Sequence, residues 1–145
     1  MIRLLVLVLI AATVSGCETT DDALTNDAMP TAITGPTASA IAGDMASRLA
    51  EQVGPAATTT LKLDTDNSDY AKALEAALKG WGYVVITDGK GSKDQKPIEL
   101  AWSVDTIDGQ VLARLRTPAI ALGRAYLPTT AGATPASPLS IMQRN

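Results

Sequence analysis

The chain contains a single cysteine, Cys17, and it stands directly behind the apolar N-terminus. Arg3 supplies a positive charge, Leu4 to Ala12 is almost unbroken hydrocarbon, and Gly16 is the small residue before the cysteine. A charged start, an apolar stretch of about 7–15 residues and a small-residue cleavage site together read as a secretory signal. The stretch is too short to span a bilayer core, which takes about 20 apolar residues. Removing residues 1–16 of the 145 leaves 129, room for one ordinary domain and not two. A lone cysteine also excludes an internal disulfide, so nothing covalent braces that domain.

Val14-Ser15-Gly16-Cys17 resembles the lipobox of bacterial lipoproteins at all four positions. The resemblance implies that the Cys17 sulfur takes a diacylglycerol, that the chain is cut before it, and that the new N-terminus is acylated. An ordinary secreted protein with an incidental or buried thiol is the competing account.

Composition closes several functional classes. The chain has no histidine, which removes His-dependent triads, His-ligated zinc and the usual proton shuttle near neutral pH. With Cys17 given to lipid, thiol nucleophiles and thiolate metal sites go as well. The expectation is a protein that is not an enzyme and holds no cofactor or metal. A net charge of −3 argues against direct nucleic-acid binding through a basic surface. There is no phenylalanine, so burial rests on Leu, Ile, Val, Trp81, Trp102 and three tyrosines.

Residues 17–36 are rich in Thr, Asp and Ala without helix or strand period, and read as a lipidated cysteine followed by a flexible tether. A small α/β periplasmic domain is expected over 37–127. Ala38, Ile41, Ala42, Met45, Leu49 and Val53 fall at helical spacing, with Asp44, Arg48 and Glu51 off the stripe and Gly54-Pro55 as the stop. The stripe is poor in large side chains, which predicts a peripheral helix. Thr58 to Leu63 alternates like a strand. Turn residues from Asp64 to Ser68 then lead to a second helix with Tyr70, Ala73, Leu74, Ala77, Leu78 and Trp81 on one face. Tyr83 to Thr87 is a continuous run of β-formers, predicting a central strand buried on both faces.

Ile98, Leu100, Trp102 and Val104 alternate with Glu99, Ala101, Ser103 and Asp105 as in a half-buried strand. Asp108-Gly109 is a hairpin signal, and Val111, Ala113 and Leu115 form the return strand. Ile120, Leu122 and Tyr126 suggest a last, weaker strand. The predicted fold is therefore α+β, a small mixed sheet in the order α-β-α-β-β-β, the weaker last strand following as a fifth, with helices on one face. Residues 128–145 read as a disordered Pro/Thr/Ala-rich tail ending in an apolar cluster, Leu139, Ile141 and Met142. That cluster is a candidate partner-docking element, able to add a strand to a neighbour's sheet edge.

Other candidate sites have plainer explanations. Asp64, Asp66, Ser68 and Glu75 occupy positions 1, 3, 5 and 12 of a calcium-loop template, but Asp69 stands where the template needs glycine. A turn and an acidic helix cap account for them. Around Gly89-Lys90, Val84 stands where a phosphate loop requires its first glycine, leaving Lys90, Lys93 and Lys96 as a solvated hairpin tip. Trp81 and Trp102 could line a cleft but sit on expected core stripes. Arg114, Arg116 and Arg124 form a modest basic stripe on the expected outer face.

The whole chain resembles the TrbH family of conjugal transfer lipoproteins. The resemblance rests on the lipobox at Cys17, the segment LEAALKGWGYVV, the stretch ARLRTPAIALGRAYLP and the closing SIMQR. It implies a membrane-anchored structural component of a type IV secretion channel for plasmid transfer, with the lipid bilayer and other envelope proteins of the channel as partners. It also implies an outer-membrane location facing the periplasm, which Glu18 fits, because lipoproteins kept at the inner membrane typically carry Asp there. It brings no catalytic residues. A periplasmic lipoprotein that binds or activates cell-wall machinery is the alternative. A hydrolase built on two carboxylates is disfavoured, because the acids fall in turns and caps.

Overall fold

The computed structural model describes residues 33–91, 94 and 96–145. In chain order the elements are α1 (Gly35–Gln52), a 3-10 turn (Ala56–Thr58), β1 (Thr60–Leu63), α2 (Asp69–Gly80), β2 (Val84–Ile86), β3 (Ile98–Ile107), β4 (Gln110–Arg116), β5 (Ile120–Thr129), β6 (Gly132–Pro135) and β7 (Ser140–Gln143). They form the α+β fold and mixed sheet expected from the sequence, but the sheet has seven strands, more than the predicted order contains. The order is β2-β1-β3-β4-β5-β6, with β7 also on β5.

The central helix begins and ends on local chemistry. Ser68 caps it, its hydroxyl accepting the Ala71 N–H at 3.1 Å, and Asp69 lies in the first turn. At the far end the Gly82 N–H reaches the Lys79 carbonyl and the Tyr83 N–H the Leu78 carbonyl. This paired closure needs a residue of positive φ, and Gly82, at φ +97, provides it. The turn corrects one sequence expectation. Trp81 precedes the reversal and stays 51% exposed, whereas Tyr83 swings into the core at 4%.

The strand after the helix is also corrected. β2 is an edge strand with Val84 facing solvent, and β1 occupies the interior because β3 joins it on the other side. Leu61 pairs in parallel with Val85 on one flank and Ile98 on the other. A run of β-formers reports strand preference, and here it does not report a central place.

β3 switches partners along its length. Residues 98–100 pair only with β1, and residues 101–107 only with β4. Asp108 and Gly109 both take positive φ, giving the two-residue hairpin its primed-type turn with Ile107 opposite Gln110.

Both helices pack on one face, over Leu61, Leu63, Leu100, Val111, Leu115 and Leu122. α1 is not peripheral. Ala38, Ile41, Ala42, Met45, Ala46 and Leu49 are all fully buried against α2 and strands β4 to β6. Its small side chains are what admit it, since alanines let a helix seat close to a sheet. A close approach is at Gly132, where an added Cβ would lie 3.1 Å from that of Ala40.

The segment after Pro128 is not a disordered tail in the structure. β5 runs to Thr129, β6 folds back on its second half, and β7 pairs with its first half. Proline and threonine content suggested disorder, but strand pairing with an already formed β5 overrides that local preference.

Candidate functional site

The least ordinary part of the molecule is the edge made by β5, β6 and β7 and the polar cluster behind it. β6 and β7 lie end to end along β5, leaving a gap at Ala125. The gap is closed without a strand: the Ala136 N–H donates to the Ala125 carbonyl at 2.8 Å, and the Ala125 N–H donates to the Ser137 hydroxyl at 2.9 Å. Ser137 thus substitutes for a missing rung of the ladder.

Arg124 secures the same gap from the helix side. Its Nε donates to the Ser137 carbonyl at 3.0 Å and its Nη1 to Asp44 Oδ2 on α1 at 2.9 Å. The Tyr126 hydroxyl donates to that same carboxylate oxygen at 2.7 Å. Burial and the Asp44 carboxylate both push the Tyr126 hydroxyl well above the ordinary phenol range. Arg48, one turn along α1, lies 3.6 Å from Asp44 and bonds Glu51 at 2.9 Å.

This corrects the expected basic stripe. Arg124 pairs with Ala113, on the face that carries Leu122 and Tyr126, so it points toward the helices. The small Ala113 opposite leaves room for the guanidinium. The sequence held the signal, because Arg124 shares period-two alternation with Ile120, Leu122 and Tyr126. Arg114 and Arg116 do face outward, and Arg114 bonds Asp105 at 3.2 Å.

The three candidate docking residues divide between surroundings. Leu139 is half-buried against the core, while Ile141 and Met142 are 44% and 63% exposed on β7. Ile141 lies opposite Leu122 and Met142 opposite Ala121, so the two side chains emerge on opposite faces. The Arg144 N–H donates to the Ala119 carbonyl at 2.7 Å. Antiparallel alternation then turns the backbone groups of Ile141 and Gln143 away from β5, and no strand covers that side among the described residues. Cys17 lies outside the described residues.

The remaining candidates are separated. Asp66 accepts the Ser68 N–H at 3.0 Å, and its hydrogen bonds to Ser68 hold its carboxyl below the usual range. Glu75 bonds Lys79 at 2.6 Å on the helix surface. No three acidic, histidine or cysteine side chains converge on a metal position among the described residues. Asp88 accepts the Lys90 N–H at 3.0 Å within its turn. Trp102 is half-buried against the core, its indole N–H donating to the Asp64 carbonyl at 2.8 Å and its ring 5.3 Å from that of Tyr70. The burial of Tyr70 raises its hydroxyl far above the ordinary phenol range. Among the described residues no helix is long and apolar enough to cross a membrane.

The family model described as conjugal transfer protein TrbH matches residues 19–145, almost all of the chain beyond Cys17. This chain belongs to the TrbH family. A similar TrbH protein is the probable conjugal transfer protein TrbH of Sinorhizobium fredii (strain NBRC 101917 / NGR234), 65% identical over 148 residues and covering all of both chains. No solved structure matches the chain. The TrbH match runs through β6 and β7, so the C-terminal edge lies within the family's common segment.

Proposed function

We propose that the protein is a structural component of a conjugative plasmid-transfer apparatus of the type IV secretion class, tethered by lipid and not catalytic. The observation that carries this reading is the match over residues 19–145 to the TrbH conjugal transfer family. Residues 1–16 act as a lipoprotein signal, Cys17 takes the lipid, and the following tether holds the folded domain off the membrane. The site is the outer membrane, with the domain facing the periplasm and other envelope proteins of the channel as partners. One acyl chain gives only marginal binding, about 10⁴ M⁻¹, so a stable anchor needs the several chains of an acylated cysteine.

Cys17→Ser is expected to release the protein from membranes without unfolding it, and to abolish palmitate labelling. In cells carrying a plasmid deleted for this gene, the wild-type copy restores transfer and the variant does not. Palmitate labelling that survives the substitution sinks the anchor. Undiminished transfer from the deleted plasmid sinks the conjugative role itself.

β7 is the docking element, through its open backbone edge and the exposed Ile141 and Met142. Met142→Asp changes a side chain on the surface, where most substitutions shift stability by no more than about 0.5 kcal/mol. It should leave thermal unfolding in place while reducing crosslinking to channel partners and plasmid transfer. Full transfer by this variant and by Ile141→Asp would remove β7 from the docking surface.

A further inference from the structure

Where β3 exchanges β1 for β4, the sheet opens. β4 ends at Arg116, opposite Ala101, so residues 97–99 have no strand on that side. The result is a cleft of about 780 Å³ between the start of β3, the β4–β5 turn and the end of α1. Its lining is mainly apolar, with Val53, Pro97, Ile98, Pro118, Ala119 and Ile120 contributing. That volume lies within the range of small-molecule sites, roughly 300–1,000 Å³.

Charge at the mouth is one-sided. Lys62 and Lys96 border the cleft, and an adjoining recess that shares Glu99, Thr117 and Pro118 adds Arg116 and Arg144. Four cations therefore stand around Glu99, with Asp64 the one further acid, beside Lys62 in a second adjoining recess, in a chain whose net charge is −3. Lys62 is 3.6 Å from Glu99 with both side chains substantially exposed, a weak pair that an incoming anion can displace.

The walls also say what does not fit. Pro97 and Pro118 have no N–H to offer. On the β4–β5 turn the Thr117 N–H donates to the Ile120 carbonyl, and the N–H groups of Ala119 and Ile120 both donate to the Thr117 hydroxyl. The Ala119 carbonyl already accepts from Arg144. On the turn side an extended peptide would find few ladder partners, and on the β3 side only the few unpaired residues between Pro97 and Ala101, too short a stretch for a strand, whereas a hydrocarbon chain asks for none. We propose that this cleft takes the apolar chain of an anionic lipid, with Lys62 and Lys96 holding its head group.

The test uses the full chain carrying Cys17→Ser, so that its own acyl groups are not in play and the outcome is separate from the anchoring question. Titration calorimetry with dodecyl phosphate, below its micelle concentration, should show saturable binding. Dodecyl maltoside, with the same chain and no charge, should bind far more weakly, as should inorganic phosphate. Lys62→Gln and Lys96→Gln should each weaken dodecyl phosphate about fivefold with unchanged melting temperatures. Ala119→Trp, at an exposed position on the rim, should block the cleft. Equal affinity for the neutral detergent, full binding by free phosphate alone, or binding untouched by Ala119→Trp would each overturn the proposal.

Discussion

Leu78→Ala is expected to lower unfolding stability by about 2–5 kcal/mol, a large share of the roughly 5–15 kcal/mol available to a small domain. Leu78 is fully buried on α2, in the same core as Leu74, Leu61 and Leu100. It also receives, through its carbonyl, the Tyr83 N–H that closes the helix. The deletion removes a side chain worth about 1.5–3 kcal/mol of transfer free energy and leaves a cavity that a close-packed core fills only in part. Urea denaturation followed by tryptophan fluorescence measures it, since Trp102 reports on the same core. An unchanged midpoint would mean that α2 does not pack where the structure places it. Trp81→Ala serves as the contrast: a half-exposed ring outside the core should cost far less.

Removing the Asp44 carboxylate should be comparably severe. Asp44→Ala strips the acceptor from both Arg124 and Tyr126, whose side chains come from the strand beneath α1. Arg124 is only 17% exposed, so its charge is left largely desolvated and unpaired. Breaking such a pair from one side costs about 3–5 kcal/mol when it is fully buried, and a value near the lower end is expected here. The double substitution Asp44→Ala with Arg124→Leu should recover much of the loss, because no lone charge remains. A double variant no better than the single one would show that the carboxylate matters for reasons other than this pairing. Since Arg124 also grips Ser137, hydrogen exchange should quicken in β7 before it does in β1.

Much of the fold was legible because its patterns are local. The alternation from Ile98 to Asp105, the Asp108-Gly109 turn and the turn from Asp64 to Ser68 that leads into α2 each depend on a few neighbouring residues, and each appears in the structure as read. What escaped depends on distant chain. Nothing within Tyr83 to Thr87 reveals that β3 returns to the far side of β1 and leaves β2 at the edge. Nothing in the Pro/Thr/Ala-rich end reveals that β5 is there to receive it. Arg124 is different, for its alternation with Leu122 and Tyr126 is local, but the Asp44 carboxylate that lets an arginine face the helices lies 80 residues away. Ile141 and Met142, proposed above for docking, were legible as an apolar cluster, whereas the cleft beside β3 was not, since it exists only where two strand pairings fail to overlap.

The packing of α1 sets an order of events during synthesis. This helix is the first described element to be made, and although α2 follows soon after, the rest of the surface it covers belongs to β4, β5 and β6. Gly132, whose carbonyl accepts the Thr37 hydroxyl, is made about 80 residues after the helix ends. At roughly 5–20 residues per second, the alanine-lined stripe of α1 waits on the order of 4–16 s for its cover. A nascent chain stalled before β6 would therefore have only α2 to cover the stripe of Ile41, Met45 and Leu49, and would leave its sheet-facing side to the surroundings. Such intermediates are the species a holding chaperone would capture, and they vanish only when the last strands are complete.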